Sequence, residues 1–129
     1  YVEDIFLRLE IYNDISNAKN DYEINHIVSK LEDVYGPIPD YLKNLFSLTR
    51  VKIEGNRIKA DKIKINKENT VITLNPKSLI NNDKLINHFV LKNKIKLTDQ
   101  YNLKYQNISK DNFCELCEEV ISMMKDISD

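Results

Sequence analysis

Glycine is scarce in this chain, and its scarcity excludes several catalytic motifs. Only Gly36 and Gly55 occur among the 129 residues. A phosphate cradle needs several glycines so that backbone N–H groups can close on the anion. No Walker A loop, G-x-G-x-x-G motif or G-x-S-x-G elbow can be written in this sequence. We therefore predict a compact domain that acts through contact and not through catalysis.

An excess of charge of one sign is also missing. The chain has 19 basic and 20 acidic side chains, a net charge of -1, so no overall attraction to nucleic acid or to an anionic membrane is expected. Its apolar runs are too short to cross a bilayer, no charged-then-apolar leader precedes Tyr1, and two nearby cysteines are unlike a secreted disulfide scaffold. We predict a single cytoplasmic, monomeric domain over residues 1–129, without membrane contact.

The first half of the sequence has helical periodicity. In the second predicted helix, Asn20 can cap the N-terminus with Glu23 as its capping-box partner, and Gly36 followed by Pro37 ends the helix. The first helix carries a stripe that we expect to be buried: Val2, Ile5, Phe6, Leu9, Tyr12 and Ile15. The second has an apolar face of Ile24, Ile27, Val28, Leu31, Val34 and Tyr35. Its opposite flank, which by periodicity alone is typical of a solvated face, carries Glu23, His26, Lys30 and Asp33.

A third helix is predicted from Pro39 onward. Its stripe comprises Leu42, Leu45, Phe46, Thr49 and Ile53. Gly55 lies inside this pattern and costs about 1 kcal/mol relative to alanine, so we expect the last turns of the helix to fray.

The periodicity then changes to that of strands. Ile63 and Ile65 alternate with lysines, residues 71–74 are largely β-branched, and residues 66–69 form the turn between these two strands. A short helix capped by Asn82 or Asp83 carries Leu85, Ile86, Phe89 and Val90. Two brief strands follow at 95–97 and 103–105, with a turn at Asp99-Gln100. Ser109 is predicted to open a final helix whose stripe is Phe113, Leu116, Cys117, Val120, Ile121, Met124 and Ile127. The order ααα-ββ-α-ββ-α predicts the α+β class with a small antiparallel sheet.

Two cysteines and two histidines are the side chains most suggestive of chemistry. Cys114 and Cys117 have C-x-x-C spacing, but a zinc site would also need His26 and His88, which lie on separate predicted helices. A redox pair would lie at the start of a helix after a strand, whereas this pair lies within the last helix. We interpret the cysteines as buried small hydrophobic residues and predict no catalytic, cofactor-binding or metal-binding residue.

A basic stretch runs from Arg50 to Lys67 and leaves two interpretations open. It contains Arg50, Lys52, Arg57, Lys59, Lys62, Lys64 and Lys67. Such a run can follow a phosphate backbone, although no aromatic side chain is present for base stacking. Lysines that alternate with isoleucines also occur on any half-exposed strand, so a solvated face is favoured over nucleic-acid contact.

Three segments carry a resemblance to a known family. They are Arg8–Ser16 (RLEIYNDIS), Leu31–Pro39 (LEDVYGPIP) and Leu45–Val51 (LFSLTRV). The C-terminal domain of bacterial transcription-repair coupling factor (Mfd) shows R-L-x-x-Y-x-R-I, then E-L-x-D-R-F-G-x-L-P, then a helix bearing L-x-x-x-A-R-L. This chain resembles that domain in sequence over its first half and in element order to its C-terminus.

The resemblance implies a non-catalytic regulatory domain of a larger protein. The family's parent protein is an ATP-dependent DNA translocase that displaces stalled RNA polymerase and recruits nucleotide excision repair. Its helicase-like motor, with ATP and magnesium, lies outside this chain. The family's C-terminal domain masks the surface of the N-terminal module that binds the damage-recognition ATPase UvrA. We therefore expect autoinhibition, that module as the direct partner, UvrA and RNA polymerase as indirect partners, no direct DNA binding and no cofactor here.

The same resemblance assigns interface residues on the second helix. In the family, acidic residues of the E-L-x-D-R-F-G segment face arginines of the N-terminal module. Asp33 matches the second acid, whereas Lys30 replaces the first acid and Val34 replaces the following arginine; Asp14 replaces the arginine of the first motif. The partner interface is thus predicted at His26, Lys30, Asp33 and Val34. A single exposed ion pair contributes only about 0–1 kcal/mol, so surrounding packing must supply most of the contact.

Overall fold

A computed structural model describes residues 1–99, 101–109 and 111–128. The helices are α1 (Ile5–Asn17), α2 (Asp21–Tyr35), α3 (Asp40–Arg57), α4 (Asn82–Leu85), which continues into a π-helical turn (Ile86–Val90), and α5 (Phe113–Asp126). The strands are β1 (Ala60–Ile65), β2 (Asn69–Leu74), β3 (Ile95–Leu97) and β4 (Asn102–Gln106). This order confirms the predicted α+β class. No described helix is long and apolar enough to span a membrane.

The four strands form one antiparallel sheet in the order β1-β2-β4-β3. Because side chains alternate along each strand, the sheet has two distinct faces. One face carries the row Ile63, Ile72, Leu103 and Leu97, and most of this face packs against α3 and α5. The other face carries the row Lys64, Val71, Lys104 and Lys96 and points to solvent.

The buried apolar side chains form two clusters. The smaller cluster lies among α1, α2 and α3 and comprises Ile15, Ile24, Leu31, Leu42 and Phe46. The larger cluster lies between the sheet and the helices α3 and α5, and it includes Val51, Ile72, Leu103, Val120 and Met124. Helix α3 contributes to both clusters and so joins the helical half of the molecule to the sheet half.

The prediction of a buried stripe along α1 is wrong for its first two turns. Phe6 is 79% exposed and Leu9 is 58% exposed, and Ile5 is exposed as well, whereas Ile15 is fully buried. Only the C-terminal half of α1 reaches the smaller cluster, through Ile15 and its half-buried neighbours. The apolar side chains of the first two turns therefore face solvent.

Helix α2 has the predicted caps. The Asn20 side chain accepts a hydrogen bond from the Glu23 N–H at 2.9 Å, while the Glu23 carboxylate accepts from the Lys19 N–H at 2.7 Å, one residue earlier than a standard capping box. Gly36 has a φ of 88°, and its N–H donates to the Glu32 carbonyl. The assignment of Val34 to the buried face is wrong, because its side chain is exposed.

The predicted fraying at Gly55 is also wrong. Helix α3 continues to Arg57, and Gly55 is buried against β1. A Cβ atom on Gly55 would lie 2.6 Å from the Cδ1 atom of Ile63. Glycine therefore permits close packing between α3 and β1, and this contact holds the last turns of the helix.

Two helices begin at residues other than those predicted, and the predicted β3–β4 turn lies only partly within the described residues. Helix α4 begins after Asn81, one residue before the predicted caps, and helix α5 begins after Asn112 and not at Ser109. The Asn112 side chain accepts from the Glu115 N–H at 3.1 Å. In the β3–β4 turn, the Asp99 carboxylate accepts from the Tyr101 and Asn102 N–H groups. Gln100, the other residue of the predicted turn, lies outside the described residues.

Ser128 links three parts of the molecule. Its hydroxyl accepts from Arg57 Nη2 at 2.8 Å, and its carbonyl accepts from Lys84 Nζ at 3.2 Å. Arg57 also donates through Nε to the buried Glu54 carboxylate at 2.7 Å. A β-bridge pairs Ser128 with Ile80. The end of α3, the segment before α4 and the residues after α5 are thus connected through one small polar side chain and its backbone.

Candidate docking surface on helices α1 and α2

A groove of about 520 Å³ runs between α1 and α2. Its lining combines apolar side chains such as Leu7 and Ile27 with the acidic side chains of Glu10, Asp14 and Glu23. The groove is open to solvent. The apolar side chains in the first two turns of α1 are exposed and lie outside the buried cluster of α1, α2 and α3. We name this groove, together with the exposed side chains of α1 and α2 around it, the α1–α2 surface.

The four predicted interface residues lie on this surface. His26, Lys30 and Val34 line the groove at helical spacing along α2. Asp33 is exposed on the same helix, beside the groove and not in its lining. Neither Lys30 nor Asp33 forms an ion pair with another described residue. Their charges therefore remain free to meet a partner.

Large apolar side chains are unusually exposed here. Tyr22 and Phe6 are both 79% exposed, and Val34 is 67% exposed. An exposed apolar patch with a charged surround is typical of a protein-protein contact. Sequence reasoning missed Phe6 and Tyr22, because helical periodicity shows which side chains share a face but not whether another element covers that face.

The residues of the basic stretch from Arg50 to Lys67 lie in different settings. Arg50 donates to the Asn25 side chain at 2.9 Å and so links α3 to α2, while Arg57 is engaged with Glu54 and Ser128. The remaining residues of the predicted set are exposed lysines: Lys52 on α3, Lys59 in the connection to β1, Lys62 and Lys64 on the solvent face of β1, and Lys67 in the β1–β2 turn.

Burial is confirmed for Cys117, whereas Cys114 is only half-buried. Cys117 is buried in the larger cluster, and burial, with smaller contributions from Cys114 and Glu118, raises its pKa to about 11. The thiol of Cys114 donates to the Asn44 side chain at 3.4 Å, and both cysteines are free.

The two histidines lie apart. His26 lies in the groove, whereas His88 Nδ1 is 3.2 Å from Asp126 Oδ1. Within the described ranges, no group of three or more histidine, cysteine or acidic side chains has the arrangement of a metal site.

The sequence did not predict two polar contacts, one buried at Thr70 and Asn107 and one half-buried at Glu119. The Thr70 hydroxyl donates to the Asn107 amide oxygen at 2.9 Å, and the Asn107 amide nitrogen donates to the Asn66 carbonyl at 2.6 Å. These bonds hold the β1–β2 turn against the end of β4. In the second contact, the Glu119 carboxylate accepts hydrogen bonds from the Tyr105 hydroxyl at 2.6 Å and from the backbone N–H groups of Ile108 and Ser109. Both sets join residues distant in sequence, so no local pattern indicates them.

The structure defines a small α+β domain that carries an open groove with exposed apolar side chains between α1 and α2. A family model described as the TRCF domain matches residues 1–85, about two thirds of the sequence. The chain therefore belongs to the TRCF domain family, and the resemblance to the C-terminal domain of transcription-repair coupling factor is confirmed.

The chain is also similar in sequence to transcription-repair-coupling factors from two bacteria. The transcription-repair-coupling factor of Buchnera aphidicola is 27% identical over 128 residues, covering 98% of this chain, and that of Haemophilus influenzae is 25% identical over 130 residues, covering 99%. This chain spans 16% and 11% of the lengths of those two relatives. A crystal structure of the C-terminal domain of transcription-repair coupling factor has the same fold, with a TM-score of 0.74 and 17% identity, over 97% of this chain and 84% of that one.

Proposed function

We propose that this chain is a non-catalytic regulatory domain of a transcription-repair coupling factor, which holds its parent protein in a closed state. Its α1–α2 surface covers the N-terminal module and masks the site for UvrA. The parent protein is an ATP-dependent DNA translocase that displaces stalled RNA polymerase and recruits nucleotide excision repair. Family membership and the small share of the relatives' length support this proposal. ATP and magnesium belong to the motor domains of that parent and not to this domain.

The exposed apolar side chains of the α1–α2 surface carry the proposal. Covering a valine or phenylalanine that is now largely exposed contributes about 1–3 kcal/mol per side chain. An exposed ion pair contributes about 0–1 kcal/mol. Phe6, Tyr22 and Val34 therefore supply more of the contact than Asp33 does, and the charged groups mainly set the orientation of the partner.

The charges of the surface indicate what the partner presents. The groove is lined by three acidic side chains, those of Glu10, Asp14 and Glu23, and Asp33 lies beside it. The lining contains one lysine, Lys30, and one histidine, His26. A partner with arginine side chains fits this acidic excess. Lys30 repels the arginine side chains of such a partner. Val34 provides apolar contact area where the family pattern has an arginine, and this apolar contact compensates for the unfavourable charge of Lys30.

The proposal is tested by calorimetric titration of this chain against the N-terminal module of its own parent protein. We expect the double variant Phe6→Ser/Val34→Ser to bind at least about 10-fold more weakly, since two apolar contacts are lost. Asp33→Arg is expected to weaken binding by about 3- to 10-fold through repulsion between like charges. The wild-type chain is also expected to compete with UvrA for that module.

A matched control uses two exposed apolar residues outside the α1–α2 surface, Leu91 and Ile108. The variant Leu91→Ser/Ile108→Ser is expected to bind as the wild type does. Equal weakening by both double variants, or an absence of binding and of competition with UvrA, would contradict the proposal.

A further inference from the structure

Charge is unevenly distributed along a chain that is balanced as a whole. Residues 59–109 contain ten lysines and four acidic residues, whereas residues 1–58 contain ten acidic and seven basic residues. The lysine-rich section forms the whole sheet and its connections. Residues 59–109 are therefore positively charged at neutral pH. Residues 1–58, which bear the α1–α2 surface, are negatively charged, and so are residues 110–129, which include α5 and contain six acidic and two basic residues.

Strand register gathers four of these lysines on the solvent face of the sheet. Lys64 pairs with Val71, Val71 with Lys104, and Lys104 with Lys96, so three lysines lie in one row across all four strands. Lys62, two residues from Lys64, projects from the same face. All four lysines are exposed. We name them the lysine row: Lys62, Lys64, Lys96 and Lys104.

The two ion pairs found between described residues, Arg57–Glu54 and His88–Asp126, include no member of the lysine row. The side chains of Val71, Thr73, Asn102 and Gln106 project from the same face and are neutral. Asp61 lies at the irregularity between Ala60 and Lys62 and accepts a hydrogen bond from the Asn75 side chain. Lys96 and Lys104 lie directly opposite each other, and like charges in that position destabilise a sheet. An anionic partner that lies across the face removes this repulsion.

The dimensions of the face favour a nucleic-acid duplex among anionic partners. Neighbouring strands are about 4.8 Å apart, so the lysine row spans roughly 14 Å from β1 to β3, close to the width of about 12 Å of the major groove of DNA. An open groove of about 740 Å³ continues the face beside β3, and its charged lining consists of Lys94, Lys96, Lys104 and one acidic side chain, Glu68. No aromatic side chain projects from this face within the described strands, so it lacks the stacking platform typical of single-strand binding.

We propose that the lysine row binds the phosphate backbone of duplex nucleic acid without reading its sequence. The surface lies on the side of the sheet away from α3 and α5 and shares no residue with the α1–α2 surface. The proposal therefore stands or falls independently of the masking function. It also differs from a contact along Arg50–Lys67, because half of the lysine row comes from β3 and β4.

The test is fluorescence anisotropy of a labelled duplex of about 30 base pairs, titrated with the 129-residue chain between about 50 and 200 mM salt. With three to four phosphate contacts, the association constant is expected to fall on the order of 100-fold over this range. The variant Lys64→Gln/Lys96→Gln/Lys104→Gln is expected to lose at least about 10-fold in affinity at low salt and most of the salt dependence.

The control variant Lys19→Gln/Lys43→Gln/Lys125→Gln removes the same charge from three exposed lysines elsewhere. It is expected to stay within about 3-fold of the wild type. Absence of binding at low salt, equal losses in the two variants, or tighter binding to a single strand of equal length would overturn the proposal. The proposal would also be overturned if polyglutamate displaced the duplex at equal charge concentration, because an acidic protein chain would then be the better partner.

Discussion

Glu119 shows how one carboxylate organises the connection between β4 and α5. Its Oε2 atom accepts from the Tyr105 hydroxyl and the Ile108 N–H, and its Oε1 atom accepts from the Ser109 N–H at 2.7 Å. Burial alone raises the pKa of Glu119, but these hydrogen bonds outweigh burial and lower it. Burial and the adjacent carboxylate raise the pKa of Tyr105, so its hydroxyl remains a donor at neutral pH. The ionised form of Glu119 is therefore the one that stabilises the fold.

Replacement of this carboxylate should make stability depend less on pH. Glutamine offers one acceptor oxygen where the carboxylate offers two, so Glu119→Gln is expected to lower the free energy of unfolding by about 1–2 kcal/mol at neutral pH. A lowered native pKa contributes stability above the ordinary glutamate pKa of 4.5, and this contribution is lost as the pH falls below it. Denaturant unfolding at several pH values measures the effect.

The neighbouring Glu118 is exposed and provides the matched control. Glu118→Gln is expected to change stability by no more than about 0.5 kcal/mol at any of these pH values. A loss in Glu119→Gln that stays equally large once the pH has fallen below the lowered pKa of Glu119 would show that the ionised carboxylate is not the stabilising form.

Single residues were predictable where their partners are close in sequence. Asn20 and Gly36 act at the ends of α2 as expected, because a cap depends on three or four neighbouring residues. Ser109 was misassigned as the start of α5, because its N–H donates to Glu119, ten residues away. The bond between Thr70 and Asn107 spans 37 residues and leaves no local pattern.

At the scale of elements, the contact between α3 and β1 depends on the absence of a side chain at Gly55. Alanine there gains about 1 kcal/mol of helix propensity but displaces the end of Ile63, so Gly55→Ala alone is expected to be nearly neutral. In an Ile63→Val background the Cδ1 atom is gone, and Gly55→Ala is expected to stabilise the protein by about 1 kcal/mol. A double-mutant cycle by thermal or urea unfolding measures this coupling.

Gly36 serves as the contrasting position in the same measurement. Its φ of 88° strains any side chain, although a Cβ atom added there would meet open space, with no atom outside its chain neighbours within 4 Å. Gly36→Ala is expected to destabilise by about 1 kcal/mol in either background. An unchanged effect of Gly55→Ala upon removal of the Ile63 Cδ1 atom would show that close packing is not why glycine occupies position 55.

Elements were predicted more accurately than their environments. All four strands and all the helices appear in the predicted order, because periodicity and β-branched composition are local properties of the sequence. The position of Phe6 and Leu9 relative to other elements is not local, and their stripe was wrongly assigned to the core. The strand order β1-β2-β4-β3 likewise depends on long-range pairing that no single segment specifies.

At the scale of the whole molecule, the two apolar clusters differ in size. Five buried residues form the cluster among α1, α2 and α3, whereas fifteen form the cluster between the sheet, α3 and α5, counted over the described residues. Local stability follows buried apolar contact, so the helical half is expected to open before the sheet half does. The half that bears the α1–α2 surface is thus the less stable half.

Native-state hydrogen exchange measures this difference. Amides of α2 near Ile24 and Leu31 are expected to exchange through partial opening, at a free energy at least about 1 kcal/mol below that of global unfolding. Amides near Ile72 and Leu103 are expected to exchange only through global unfolding. Within α3, protection should rise from Leu42 toward the C-terminal turns. Exchange of α2 only upon global unfolding would contradict the expectation.

The candidate surfaces were predictable to different degrees. The outward flank of α2, with Lys30 and Asp33, follows from helical spacing and the family motif, and the structure places these residues in the open. The lysine row was not predictable, because Lys64 and Lys96 become neighbours on one face only after the strand order is known. Sequence proximity instead grouped Lys64 with Arg57, which is engaged with Glu54 and Ser128.

The connection through Ser128 has a practical consequence for anyone who shortens this chain for expression. Removal of the residues after Asp126 would delete Ile127, which is fully buried, together with the hydroxyl and the carbonyl that Arg57 and Lys84 contact. Aggregation or poor yield of such a truncated protein would then reflect damage to α3 and α4, far from the cut in sequence. An affinity tag joined at this end needs a flexible spacer placed beyond Ser128.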